Sequence, residues 1–112
     1  MIIALVQIPG IQRSEADAIK AARGSAPTFT GMPGLKRKYY LNGEAGGGGV
    51  YLWESREAAE AWYDENWADN MEKKFGARPM LTYYENYVVV DNDADEVRVH
   101  GVPEARTDTA AE

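Results

Sequence analysis

Short runs of branched apolar residues alternate along the chain with segments of helical spacing, and this pattern predicts the elements. Ile2 to Ile8 is a strand's length of mostly β-branched side chains, ended by Pro9-Gly10, and predicts a buried strand. Ser14 is placed to cap a helix, with Asp17 three residues on, and Ala16, Ile19 and Ala22-Arg23 follow helical spacing, so a first helix is predicted from about Ser14 to Arg23. Gly24, Pro27, Gly31, Pro33 and Gly34 predict an irregular connection with room for one short helical turn. Leu35 to Asn42 and Gly49 to Trp53 predict the second and third strands, joined by a flexible hairpin loop over Gly43 to Gly48. Ser55 caps a second helix with Glu57 in its first turn. Ala58, Ala61 and Trp62 mark one face of it, which Trp67, Met71 and Phe75 continue, with a break expected around Asn66 and Asp69. Gly76 and Pro79 end the helical region, and Met80 to Val90 predicts a fourth strand, the longest.

The order βαββαβ predicts an α+β fold of the ferredoxin-like type, a four-stranded antiparallel sheet with its helices on one face, over residues 1–92. Residues 93–112 read as an acidic C-terminal extension, either solvated or docked, in which Glu96 to His100 has the pattern of a short extra strand.

Side chains alternate between the two faces of a sheet, so a sheet covered on one side alternates apolar with polar positions. Here both faces carry bulk. Ile2, Val6 and Ile8 oppose Ile3 and Leu5; Val50 and Leu52 oppose Tyr51 and Trp53. In the fourth strand Met80, Tyr84, Val88 and Val90 oppose Leu81, Tyr83, Tyr87 and Val89. Each large side chain gains roughly 1.5–3 kcal/mol on full burial. The second face therefore represents on the order of 10 kcal/mol, comparable with a domain's whole net stability. A homodimer formed through that face is the expected solution.

Charge and composition narrow the chemistry. A net charge of −6 disfavours nucleic acid, and Lys36-Arg37-Lys38 is too short a basic cluster to reverse that. The absence of cysteine excludes disulfides, thiolate metal sites and thiol nucleophiles. The apolar start lacks a cationic flank and is too short for a signal or a membrane span, so a cytoplasmic protein without membrane contact is expected. His100 is the one histidine and lies in the extension, which leaves no histidine base, haem ligand or Ser-His-Asp arrangement for the domain body. Gly46 to Gly49 enters a strand, unlike a phosphate loop, which feeds a helix, and reads as a hairpin connector. Asp91 to Glu96 begins like a calcium loop, but Glu96 and Val102 stand where glycine and glutamate are required. Neither a metal nor another cofactor is expected.

An aromatic-rich body remains. Most of these rings are expected in the core and dimer interface, yet buried hydroxyls and indole N–H groups need partners, and ligand pockets combine apolar walls with a few polar groups. Trp62, Tyr63, Asn66 and Trp67 cluster where a helix can stand off the sheet. Arg37 and Tyr39 share one face of the second strand, and Lys36, Lys38 and Tyr40 the other; the pattern leaves open which face meets the helices.

Three stretches carry a resemblance: Met32 to Leu41 (MPGLKRKYYL), Gly48 to Trp62 (GGVYLWESREAAEAW) and Tyr84 to Asn92. Together they resemble the mono-oxygenases of the YdhR type, in the antibiotic-biosynthesis-mono-oxygenase superfamily, and the likeness spans about residues 1–92. It implies a dimeric α+β barrel, and oxygenation of a small electron-rich aromatic without metal or flavin in a pocket between helices and sheet. The deprotonated substrate would itself reduce O₂, while the protein supplies an apolar pocket, orientation and a proton acceptor. On that reading Tyr39, Asn66, Trp67 and Arg37 orient the substrate and handle protons, with Trp53, Trp62, Tyr63 and Tyr83 as walls. Asn66-Trp67 resembles an Asn and a Trp used by some relatives. Two alternatives stay open on the same scaffold: a non-catalytic dimer that binds an apolar metabolite, and an isomerase or lyase.

Overall fold

The first strand, β1 (Ile2–Ile8), lies inside the main sheet of a computed structural model that describes residues 1–104. It is followed by α1 (Glu15–Phe29), β2 (Leu35–Gly43), β3 (Gly46–Trp53), α2 (Arg56–Trp62), α3 (Glu65–Phe75) and β4 (Met80–Glu85). Three short strands end the described chain: β5 (Val88–Asp91), β6 (Glu96–Val99) and β7 (Val102–Pro103). The fold is α+β, with a four-stranded antiparallel sheet in the order β2-β3-β1-β4. Strands β5-β6-β7 form a separate three-stranded sheet, which we call the arm. Residues 105–112 of the acidic extension lie outside the described residues.

The pairing register sorts the main sheet's residues onto two faces. On one face run the rows Leu35–Trp53–Ile2, Lys38–Tyr51–Ala4–Tyr83 and Tyr40–Gly49–Val6–Leu81. Ile2, Ala4, Val6, Ile8, Tyr51 and Trp53 are buried there against Ala59 and Tyr63, with Phe29, Trp62, Trp67, Met71 and Phe75 packed around them. This is the helix-covered face. On the other run Arg37–Leu52–Ile3–Tyr84, Tyr39–Val50–Leu5–Thr82 and Leu41–Gly48–Gln7–Met80.

Four local features differ from the sequence pattern, each for a physical reason. Helix α1 does not stop at Arg23 but continues through Gly24 and Pro27 to Phe29. Its inward stripe is Ala18, Ala22, Ser25, Ala26 and Phe29, whereas Ala16 and Ile19 are exposed. Packing of Phe29 edge-on to Tyr51 and Trp62, at 5.9 and 5.5 Å between centroids, overrides the poor helix propensity of glycine and proline. The second helical region breaks at Tyr63, earlier than Asn66, because Asp64 caps α3 by accepting the Trp67 backbone N–H at 2.8 Å.

The glycine run belongs mostly to β3, with the turn confined to Glu44-Ala45. Gly48 has φ +142°, and a Cβ there would overlap the Val6 carbonyl oxygen of the neighbouring strand. Glycine is needed for close approach, not for loop flexibility.

The expected long strand from Met80 to Val90 is two strands in two sheets. The Asn86 backbone N–H donates to the Met1 carbonyl at 2.9 Å, just past the end of β4. The chain turns away, and Val88–Asp91 finds its partner in Glu96–Val99. Thus the strand suggested by Glu96 to His100 forms, as β6, over Glu96–Val99.

Candidate functional site

The arm stands over part of the helix-free face and encloses a cleft of about 620 Å³. Ile3, Val50 and Leu52 make its apolar floor, while Val89, Asp91 and Arg98 come from the arm and Arg37 and Tyr39 from β2. Alternation along β2 puts Arg37 and Tyr39 on the same side, and the register with β3 sets them beside Leu52 and Val50.

Arg37 is the polar centre of this cleft. Its Nη1 donates to the Tyr39 hydroxyl at 3.3 Å, and its Nη2 lies 4.0 Å from Asp91 Oδ2. The Tyr39 hydrogen bond raises the guanidinium pKa further, with Asp91 and Asp93 adding weaker attraction. Most of the five guanidinium donors remain for a ligand. Asp91 is held differently: its Oδ1 accepts the backbone N–H groups of Asp93 and Ala94, both at 3.0 Å, in the turn between β5 and β6. Those bonds, led by Ala94 and assisted by Arg37, hold the Asp91 carboxyl below its ordinary range, so it is ionised at neutral pH. The other cations beside the cleft are already matched: Arg98 donates to Glu96, and Lys36 lies 3.0 Å from Glu54.

A different set of candidates forms the aromatic layer under the helices. The buried Trp53 donates its indole N–H to the Tyr63 hydroxyl at 3.2 Å. Tyr63 meets Trp67 edge-on at 4.8 Å and Tyr83 at 6.1 Å between centroids. Burial pushes the Tyr63 hydroxyl pKa upward, so it is a proton donor or acceptor in its neutral form only. Trp62 packs on Phe29, and its buried indole nitrogen has no protein partner among the described residues. Asn66 is exposed on α3. The structure therefore joins Arg37 with Tyr39 in the cleft, and joins Trp53, Tyr63, Trp67 and Tyr83 in the opposite layer. It does not join Arg37 and Tyr39 to Asn66 and Trp67, because the sheet stands between them.

The sequence pattern alone does not mark Asp91 or Arg98 as site residues. Their place depends on the β5–β6 pairing, and the one local signal was the Asp91-Asn92-Asp93 turn composition.

The side of β2 that meets the helices carries Lys38. Its Nζ lies 3.6, 4.0 and 4.8 Å from the ring centroids of Phe29, Tyr40 and Tyr51. Burial lowers its pKa to about 8, with repulsion from Lys74 adding to the effect. The ring faces offset part of that desolvation by cation–π attraction. The Tyr40 hydroxyl is fixed 2.7 Å from Ser25 Oγ of α1.

Among the described residues no three His, Cys, Asp or Glu side chains converge as a metal-binding group, and no helix is long and apolar enough to cross a membrane. In comparisons with known proteins, no protein-family model and no curated protein matches the chain.

Proposed function

We propose that this domain is a ferredoxin-like, dimeric α+β barrel whose cleft binds a small electron-rich aromatic as its phenolate. The strand order β2-β3-β1-β4 with helices on one face supports the ferredoxin-like assignment. Support for the dimer comes from the part of the helix-free face that the arm leaves open. Leu41, Met80 and Tyr84 are 41%, 52% and 53% exposed, around the half-buried Leu5 and Val50. A second copy packed there removes this apolar surface from water and closes the open side of the cleft.

The single observation that carries the binding reading is the Arg37 guanidinium beside Tyr39 over a floor of Ile3, Val50 and Leu52. A flat ring fits the floor, and a phenolate oxygen accepts the charge-assisted hydrogen bonds that Arg37 has left. The reaction proposed for that ligand is mono-oxygenation without a cofactor; it rests on the resemblance of residues 1–92, with the pocket moved from between helices and sheet, where the resemblance implies it, to the helix-free face that carries Arg37 and Tyr39. An ionised phenol is the electron-rich form that can reduce O₂, and Arg37 favours that form. One oxygen atom replaces the hydrogen on the ring carbon para to the phenolate and stays as the second carbonyl of a quinone, and the other leaves as water with that hydrogen and the phenol proton.

Oxygen uptake with a panel of hydroquinones, in the presence of a chelator, tests the reaction. Uptake lost in Arg37→Gln and reduced in Tyr39→Phe, with Trp67→Phe unaffected, supports the cleft. The reverse order places the chemistry under the helices. Tight binding of the same compounds without uptake favours the non-catalytic reading.

A further inference from the structure

Lys38 lies on the other side of the sheet from the ligand cleft and has no part in the proposed phenolate site. Beside it a recess of about 300 Å³ opens between the end of α1 and β2, lined by Ala26, Phe29, Thr30, Gly31 and Tyr40. We propose that Lys38 is a nucleophilic amine that captures a small aromatic aldehyde as an imine in this recess.

Three requirements meet there. The amine must be unprotonated; burial in this recess disfavours the ammonium and Lys74 repels it, and the ring faces of Phe29, Tyr40 and Tyr51 offset only part of that. The remaining groups around it do not neutralise that effect: Lys36 is paired with Glu54, Arg37 is cationic, and Tyr40 is tied to Ser25. There must also be room at the nitrogen, which the recess provides. Finally, the reacting carbonyl must be held, and Phe29 and Tyr40 offer ring surface to an aromatic substituent.

The step is a condensation without redox change. The Lys38 nitrogen adds to the carbonyl carbon, the carbonyl oxygen becomes a hydroxyl, and loss of water leaves the C=N bond. Hydrolysis reverses it, so the site would hold or deliver the aldehyde reversibly.

The test uses the folded wild-type protein with benzaldehyde and cyanoborohydride, whose hydride reduces the imine to a stable benzyl amine. Peptide mass mapping then compares Lys38 with Lys20 and Lys73. Near neutral pH, labelling at Lys38 is expected to be about tenfold faster than at those exposed lysines. Its pH profile should be half-maximal at about 8, and the Lys38-to-Lys20 ratio should fall when acetaldehyde replaces benzaldehyde. Even labelling of all lysines, or a Lys38 midpoint at the ordinary value of 10.5, would overturn the proposal. A ratio unchanged between the two aldehydes would overturn its aromatic preference.

Discussion

Trp53 and Tyr63 are joined by an indole-to-hydroxyl hydrogen bond of 3.2 Å that ties the end of β3 to the end of α2. Trp53 is 1% exposed, so its N–H has no access to solvent. Tyr63→Phe keeps the ring packing against Trp67 and Tyr51 but leaves that donor unpaired. A loss of about 1–3 kcal/mol is expected, read as a lower urea midpoint with unchanged slope. Unchanged stability would mean that the bond is dispensable and the layer is held by ring packing alone.

The glycines between β2 and β3 separate into two kinds. A Cβ at Gly43 meets open space, whereas one at Gly48 overlaps the Val6 carbonyl and is strained by φ +142°. Gly43→Ala should therefore change stability by no more than about 0.5 kcal/mol, and Gly48→Ala should cost on the order of 3 kcal/mol or more. Thermal unfolding of the pair checks the contrast. Equal effects would contradict the close approach of β3 to β1.

Alternation in Ile2 to Ile8 and in Val50 to Trp53 announced both the strands and their two faces. The same glycine run reads as a loop because its cause, the Val6 carbonyl, belongs to another strand. Likewise Phe29 extends α1 past Pro27 through contacts with Tyr51 and Trp62 that no local pattern contains. The β4–β5 break depends on Val88–Asp91 pairing with Glu96–Val99 in a separate sheet, which the continuous apolar run from Met80 to Val90 does not announce. For the site, Arg37 and Tyr39 were legible as neighbours because a strand fixes their common face. Their separation from Asn66 and Trp67 required knowing which face the helices cover.

The boundary between α2 and α3 rests on one side chain. Asp64 accepts the Trp67 backbone N–H at 2.8 Å. Asp64→Ala should cost about 1 kcal/mol, measured by denaturant unfolding, and Asp64→Asn much less. Equal losses in the two variants would argue that charge, not capping geometry, fixes this helix start.

The arm should loosen in acid. Hydrogen bonds from Ala94 and Asp93, with Arg37 nearby, lower the Asp91 pKa from its ordinary 3.8. Because the folded value lies below the unfolded one, the group's contribution is complete above the unfolded value. It is lost as pH falls through the folded value, that is, below about pH 4. Amide exchange in β6 should become less protected relative to β1 across that window, and Asp91→Asn should remove the pH dependence. Parallel behaviour of β6 and β1 in the wild type would contradict the assignment of Asp91 as the arm's acid-sensitive clasp.

On the proposed reading a second copy completes the helix-free face, where Leu41, Met80 and Tyr84 stand exposed around the half-buried Leu5 and Val50. Sedimentation velocity of the wild-type protein at micromolar concentration measures this. The expected species has twice the 12.4 kDa chain mass, and Met80→Lys combined with Tyr84→Lys converts it to single chains without loss of helical signal. A wild-type species that sediments at 12.4 kDa throughout the micromolar range would contradict it.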